Sequence, residues 1–456
     1  MDDQTLSTTP EAAPPLARRV MMPKPWMTRV LFGINIAVYL GMVLNGVSPT
    51  EPNNAQLLKW GAMWGPYSLG GQPWRMLTSN YVHVGIIHLG LNMWCLWNLG
   101  QLGEFIFGPW TLLIVYTLCG LGGSVCSLWW HPMSIGAGAS GAIFGLAGAL
   151  IAALYLGKLP FPKHAFQGTL RSLLAFAGYN LVFGAAWGRI DNAAHMGGLI
   201  TGLLLGAVLG QFLMTHPDSR RSWEWLTFGA AAVLLFVAAR FVKQSRGYVV
   251  ALVRGSEAIE KGNLDEGIAQ LQGAVGRDPR NNAALVLLGN AYLQQKNYAQ
   301  AEQVLKRAQA NDAADLAVQY NLGLLYQSTG RFEPAREIFA KLTRENPKDD
   351  DAWVMLGSSL DGLGETDKAL SAYQRAVELN PKNAEAWREL GIAQMKLDQK
   401  DAAISSLQKA LQLNPQNFAM RRMLARAYLA NGDAAQAQAV MNKDPGPPAS
   451  AQSPQH

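Results

Sequence analysis

One serine, two histidines and an asparagine have the types and spacing to support acyl transfer. Ser140 stands in Ile135-Gly-Ala-Gly-Ala-Ser140-Gly-Ala-Ile-Phe-Gly145, and His195 in Asp191-Asn-Ala-Ala-His195-Met-Gly-Gly198. His88 and Asn92 are four residues apart, so one helix face carries both. A serine hydroxyl attacks a carbonyl well only when a base takes its proton. His195 is suited to that, since imidazole titrates near neutral pH. The oxyanion that develops needs preplaced donors. The Asn92 amide, an imidazole N–H of His88 and the Ser140 backbone N–H are the candidates. Each feature alone has a plainer reading. Small residues around a serine commonly serve helix packing, and a lone histidine near a helix end is usually packed or interfacial. Asp191, one turn before His195, is a candidate third member of a triad, but it reads better as a helix cap together with Asn192. The sequence therefore favours a Ser140–His195 dyad.

These residues lie on apolar segments. Seven such segments occur at about 27–45, 85–102, 110–130, 139–157, 169–187, 194–214 and 225–242, each near the ~20 residues a spanning helix needs. His88 and Asn92 fall on the second, Ser140 on the fourth and His195 on the sixth, three segments that cross in the same direction. Gly198, Gly202 and Gly206 form a stripe at four-residue spacing that would let the sixth pack tightly on the fourth. Glu104 ends the second segment and is expected to pair or cap locally. Between the first two segments, 46–84 contains Trp60, Trp64, Trp74 and Tyr81 and reads as a structured interfacial loop. Trp129, Trp130, Trp223 and Trp225 read as an aromatic belt.

Basic residues set the orientation. Arg18, Arg19, Lys24 and Arg29 precede the first segment. Lys158, Lys163 and Arg171 border the gap after the fourth, and Arg220 and Arg221 follow the sixth. That side is the cytoplasm, which places the N-terminus there. If 225–242 spans, the remainder of the chain lies outside the cytoplasm; if not, inside.

Composition supports a membrane part followed by a soluble one. Residues 1–246 hold 15 Lys/Arg and 8 Asp/Glu, and the rest hold 23 and 24. The basic surplus sits among apolar segments, so it concerns topology and not nucleic acid. The three cysteines suggest no disulfide framework. His83, His88 and His195 lack a carboxylate or thiolate to complete a zinc site, and His131, His164 and His216 lie in short loops. No metal and no cofactor is expected.

Residues 27–214 resemble a rhomboid intramembrane serine protease. The resemblance rests on Trp74-Arg75, His83, His88-x-x-x-Asn92, Gly138-x-Ser140-Gly141 and Ala194-His195-x-x-Gly198-x-x-x-Gly202, in that order. It implies Ser140 as nucleophile, His195 as base, and His88 and Asn92 lining the oxyanion hole. It further implies that Trp74-Arg75 belongs to a loop in the outer leaflet that holds the fold. Phe144 takes the place of an aromatic stacked on the imidazole. Substrates would be transmembrane proteins cut near a helix end. Two departures stand out: a seventh segment follows the family's six-helix core, and Ala142 breaks the G-x-S-x-G pattern of α/β-hydrolases. The alternative is a catalytically inactive rhomboid-like scaffold, although such proteins usually lack the serine or the histidine.

From about 248 the chain repeats. Gly255, Gly289, Gly323, Gly357 and Gly391 are 34 apart, as are Ala301, Ala335, Ala369, Ala403 and Ala437, and also Pro347, Pro381 and Pro415. Trp353 and Trp387 precede their glycines by four. This is similar to tetratricopeptide (TPR) repeats, here six helix pairs over about 248–441. Stacked pairs form a superhelix with a groove for a peptide or protein ligand. The expected whole is all-α: a disordered tail (1–25), a rhomboid-like helix bundle (26–246), a TPR solenoid (247–443) and a second disordered tail (444–456). The bundle would lie in a bacterial-type inner (plasma) membrane, in contact with the lipid bilayer, with the TPR domain extracytoplasmic.

Overall fold

The computed structural model describes residues 24–158, 166–187 and 190–442. Apart from Lys24 and Pro25, the expected tails lie outside them, as do Arg18, Arg19, Lys163 and His164. The chain divides after Val250 into two compact units. Both are helical; among the described residues the only β-type pairing is one isolated bridge, between Met63 and Gly136.

The first unit runs α1 (Trp26–Leu44), α2 (Asn54–Lys59), α3 (Gly65–Leu69), α4 (Arg75–Thr78), α5 (Ile86–Phe107), α6 (Pro109–Trp130), α7 (Ser140–Leu156), α8 (Gln167–Trp187), α9 (Asn192–Leu209) and α10 (Pro217–Arg246). The seven apolar segments each lie on a helix, but they are not equivalent. Among the described residues, α1, α6, α9 with its continuation to Phe212, and α10 are long and apolar enough to cross a membrane. α7 is apolar yet only 17 residues long. α5 carries His88, Asn92, Asn98, Gln101 and Glu104, and α8 carries Arg171 and Asn180, which dilute their apolar runs.

α7 sits at the centre, with 13 of its residues buried. A helix enclosed on all sides must be apolar all round, and close approach requires small residues. The glycine stripe of α9 meets a matching row on α7. A Cβ on Gly198, Gly202 or Gly206 would collide with the carbonyl oxygen of Gly141, Gly145 or Ala149 respectively. A Cβ on Gly197 would likewise crowd Cys126 and the Gly122 carbonyl oxygen of α6.

Glu104 corrects one expectation. It does not end its helix, which continues to Phe107, and it does not pair locally. Its carboxylate accepts the Met27 and Thr28 backbone N–H groups at 3.0 and 2.9 Å and the Thr28 hydroxyl at 2.8 Å. Gly100 leaves the space for Thr28 to approach. Helix N-termini expose unpaired N–H groups and partial positive charge, so an anion there is favourable. Replacing Glu104 by alanine should leave those donors buried and unpaired. The expected loss is about 2–3 kcal/mol, read as a lowered melting temperature in detergent. Glu104→Gln, which keeps one acceptor, should lose less. An unchanged Glu104→Ala melt would dismiss the carboxylate as the clip on α1.

The 46–84 loop is built as a platform. Buried Arg75 donates from one terminal nitrogen to the Leu58 and Ala62 carbonyls at 2.7 and 2.9 Å, and from Nε to Gln72 Oε1 at 2.6 Å. Its guanidinium also lies 4.6 Å from the exposed Trp74 ring. The loop grips the segment leading into α7. Met63 and Gly136 exchange backbone hydrogen bonds of 2.8 and 2.9 Å, and the Gly65 and Gly138 N–H groups donate to the Pro132 and Ser79 carbonyls, both at 2.9 Å.

α10 starts at Pro217, earlier than expected, and its 30 residues span about 45 Å. Near its start Arg220 donates to the Phe107 carbonyl at 2.8 Å. Near its end Phe241 stacks on Trp129, and Arg246 lies 4.5 Å from the same ring. Trp129 thus also ties the end of α6 to the end of α10. Val242 and Val249 pack with Met63, Leu69 and Leu128.

The second unit is a solenoid of twelve helices, α11 (Tyr248–Glu260), α12 (Leu264–Arg277), α13 (Asn282–Gln294), α14 (Tyr298–Asn311), α15 (Leu316–Ser328), α16 (Phe332–Glu345), α17 (Asp350–Gly362), α18 (Thr366–Leu379), α19 (Ala384–Lys396), α20 (Lys400–Leu413), α21 (Phe418–Ala430) and α22 (Ala434–Asn442). They make the six expected pairs. The 34-residue period has a steric origin: Gly255, Gly289, Gly323, Gly357 and Gly391 each receive a large side chain from the second helix of the pair, namely Leu271, Leu305, Phe339, Tyr373 and Leu407. The first helix of each pair from α13 to α21 is capped in the same register, by Asn281, Asp315, Asp349, Asn383 and Asn417. Trp353 and Trp387 donate their indole N–H to the Pro347 and Pro381 carbonyls at 3.1 and 3.0 Å.

Candidate active site

Ser140 is the first residue of α7. Gly138 reaches the required φ of +127° without strain, and its N–H is held by Ser79. His195 lies in the first turn of α9, and His88 and Asn92 in the first two turns of α5. Ser140, His195, His88 and Asn92 line one cavity of about 370 Å³. Leu91, Cys95, Ile143, Phe144, Phe176 and Asn180 also border it.

Close packing of α7 on α9 sets Ser140 and His195 on the same cavity. A Cβ on Gly141 would lie 3.3 Å from the Ala194 carbonyl oxygen, so the residues beside Ser140 and His195 are in contact. The Phe144 ring lies flat on the His195 imidazole, with centroids 4.1 Å apart and planes 8° apart. His195 is 6% exposed. No direct Ser140–His195 hydrogen bond exists among the described residues; in unliganded sites this bond is often long and tightens with substrate.

His88 packs against the turn that precedes Ser140: a Cβ on Gly138 would lie 3.0 Å from His88 Nε2. Asn92 donates one amide N–H to the His88 carbonyl at 3.1 Å, leaving its second N–H and its oxygen free for a ligand. His83 is buried beside His88, ring centroids 5.4 Å apart, with Nδ1 3.2 Å from the Tyr81 carbonyl. His83 Nε2, His88 Nδ1 and His195 Nδ1 are buried without partners among the described residues. No group of His, Cys, Asp or Glu among the described residues could hold a metal ion. Trp74 and Arg75 serve the loop platform and do not border the cavity. His131 and His216 are exposed at the end of α6 and the start of α10.

Asp191 behaves as a cap, accepting from the Ala194 N–H at 2.9 Å and from the Ser127 hydroxyl at 2.5 Å. Asn192 does not share that task. Its amide donates to the Leu181 carbonyl at 2.9 Å and ties α8 to the start of α9. Sequence reasoning missed Asn180. The rule that marks polar residues on membrane helices as functional candidates would have found it.

A Rhomboid domain family model matches residues 70–212. Tetratricopeptide repeat models match 252–315, 320–384, 354–417 and 399–449. The rhomboid protease AarA of Providencia stuartii is 33% identical over 213 residues, 42% of this chain and 74% of that protein. The rhomboid protease GluP of Bacillus subtilis (strain 168) is 30% identical over 283 residues, 61% of this chain but only 53% of GluP, so the match spans about half of that relative. Among solved structures, a tetratricopeptide protein of Thermus thermophilus is 22% identical, covering 40% of this chain and 99% of its own, with a TM-score of 0.37. Fold and relatives together define a membrane protein of the rhomboid class joined to tetratricopeptide repeats. The chain belongs to the rhomboid family.

Proposed function

We propose that this protein is an intramembrane serine endopeptidase acting on transmembrane proteins. One observation carries the reading: the Ser140, His195, His88 and Asn92 side chains, from three separate helices, border a single cavity inside a largely apolar bundle. Polar groups in such a setting are costly and are retained for function. Ser140 Oγ attacks the scissile carbonyl while His195 takes its proton. The oxyanion is met by the Asn92 amide, an N–H of His88 and the Ser140 backbone N–H. His195 then protonates the leaving amine, which departs and leaves an ester on Ser140. Water, deprotonated by His195, attacks that ester and regenerates the serine. Phe144 supports the imidazole plane, and His83 packs behind His88.

The test is labelling of the full-length protein in detergent by a fluorophosphonate. Labelling of the wild type that is absent from Ser140→Ala is expected. A wild type that fails to label would leave the repeats, and not the bundle, as the working part.

The repeats follow α10 on the side of the membrane where Ser140 opens. α10 supports this placement, since it touches the Phe107 end of α5 at its start and the 46–84 loop at its finish. With the basic residues near Lys158, Arg171 and Arg220 cytoplasmic, the TPR array is extracytoplasmic and recruits substrates or partner proteins. A phosphatase fused after residue 250 should be active outside the cytoplasm of a bacterial host. Inactivity there would refute this topology.

A further inference from the structure

We infer that Asn180 of α8 is a substrate-binding residue whose carboxamide pairs with the backbone of a transmembrane segment unwound at Ser140; this rests on the protease reading. Asn180 borders the same cavity as Ser140, His195, His88 and Asn92. Elsewhere this part of α8 turns apolar side chains outward, with Leu174, Tyr179 and Val182 well exposed. An amide on such a helix is costly in hydrocarbon unless it has a partner. One N–H of Asn180 donates to the Phe176 carbonyl, one turn back, at 2.8 Å. A carboxamide offers two donors and two acceptor lone pairs. The second N–H and Oδ1 have no partner among the described residues.

Contacts on either side of Asn180 fix its position. Phe176 packs on Phe144 with ring centroids 5.3 Å apart, and Phe144 lies on the His195 imidazole. Just beyond, the Leu181 carbonyl receives the Asn192 amide, and Gly184 leaves room for that side chain. α8 is thus tied to the reacting groups both before and after the asparagine.

The chemistry of the occupant follows from the solvent. A membrane helix satisfies its own backbone, because hydrocarbon offers no partners. To present a carbonyl to Ser140, a substrate helix must open several of its hydrogen bonds. The freed N–H and C=O groups are then costly unless the enzyme meets them. A carboxamide offers a donor and an acceptor side by side, matching a peptide group. Asn92 on α5 has the same arrangement, with one N–H on its own helix and the rest free. Asn92 is engaged with the oxyanion; Asn180 takes the neighbouring peptide group.

The test uses the full-length protein in liposomes, as wild type, Asn180→Leu and Asn180→Gln. One probe is a fluorogenic single-span reporter with a Gly/Ala-rich, helix-breaking end. The other is a small fluorophosphonate, which reaches Ser140 without filling an extended site. In Asn180→Leu, kcat/KM for the reporter should fall about tenfold, the size expected for one buried peptide group left unpaired. Labelling should keep its wild-type rate, and Asn180→Gln should recover part of the loss. Wild-type cleavage by Asn180→Leu overturns the inference. So does labelling that falls in step with cleavage, which marks a packing defect. A wild type that neither labels nor cleaves defeats the protease reading itself, and this inference with it.

Discussion

Ser140→Ala should reduce cleavage of a single-span reporter at least ~10⁴-fold, with the protein still folded. The size follows from the role. Without the hydroxyl no acyl-enzyme forms, and the oxyanion donors act on nothing. The substitution removes one oxygen from a side chain bordering an open cavity, so it should leave the melting temperature nearly unchanged. His195→Ala should lose a similar amount. The double variant should be little worse than either single one, because nucleophile and base act as a unit. Reporter cleavage and fluorophosphonate labelling together check this. A Ser140→Ala protein that still cleaves would move the chemistry to another residue; losses that add between the two variants would argue against a dyad.

Gly202→Val should be the most damaging single change to the bundle. Its Cβ would lie 1.8 Å from the Gly145 carbonyl oxygen, far inside contact distance, and that neighbour is backbone that cannot rotate away. Overpacking a core usually costs about 1–3 kcal/mol. Here relief requires α7 and α9 to separate, so we expect about 3 kcal/mol or more. The same separation would pull His195 from Ser140, so labelling should vanish along with the thermal transition. Gly178→Val is the control: a Cβ there meets nothing within 4 Å. It should melt and label nearly as the wild type. A Gly202→Val protein with a normal melt would show that the interface has slack the glycine row does not suggest.

Four of the cavity-lining residues were legible in the sequence because the bilayer makes polar side chains rare. His88, Asn92, Ser140 and His195 stood out against apolar runs, and helices of one direction had to bring them to a common depth. The glycine row at four-residue spacing announced the α7–α9 contact. The repeats were legible through a fixed period, although the aligned caps Asn281, Asp315, Asp349, Asn383 and Asn417 went unread in the same register. Contacts between distant segments were not legible. Nothing local links Glu104 to Thr28, or Met63 to Gly136, since each pair meets only after helices have packed. Asn192 looked like a cap because the first turn of a helix favours asparagine; its true partner, Leu181, lies on the preceding helix. Asn180 belongs to no motif, yet an asparagine inside an apolar segment is a plain signal.

The Glu104 clip bears on how the chain is made. The donors at the start of α1 wait for an acceptor 76 residues further on. At ~5–20 residues per second of synthesis, α1 spends roughly 4–15 s with its amino end uncapped. Until α5 arrives, that end is best placed in the headgroup region, where water and phosphate can stand in for the carboxylate. The clip on α1 can therefore close only after the end of α5 has been made.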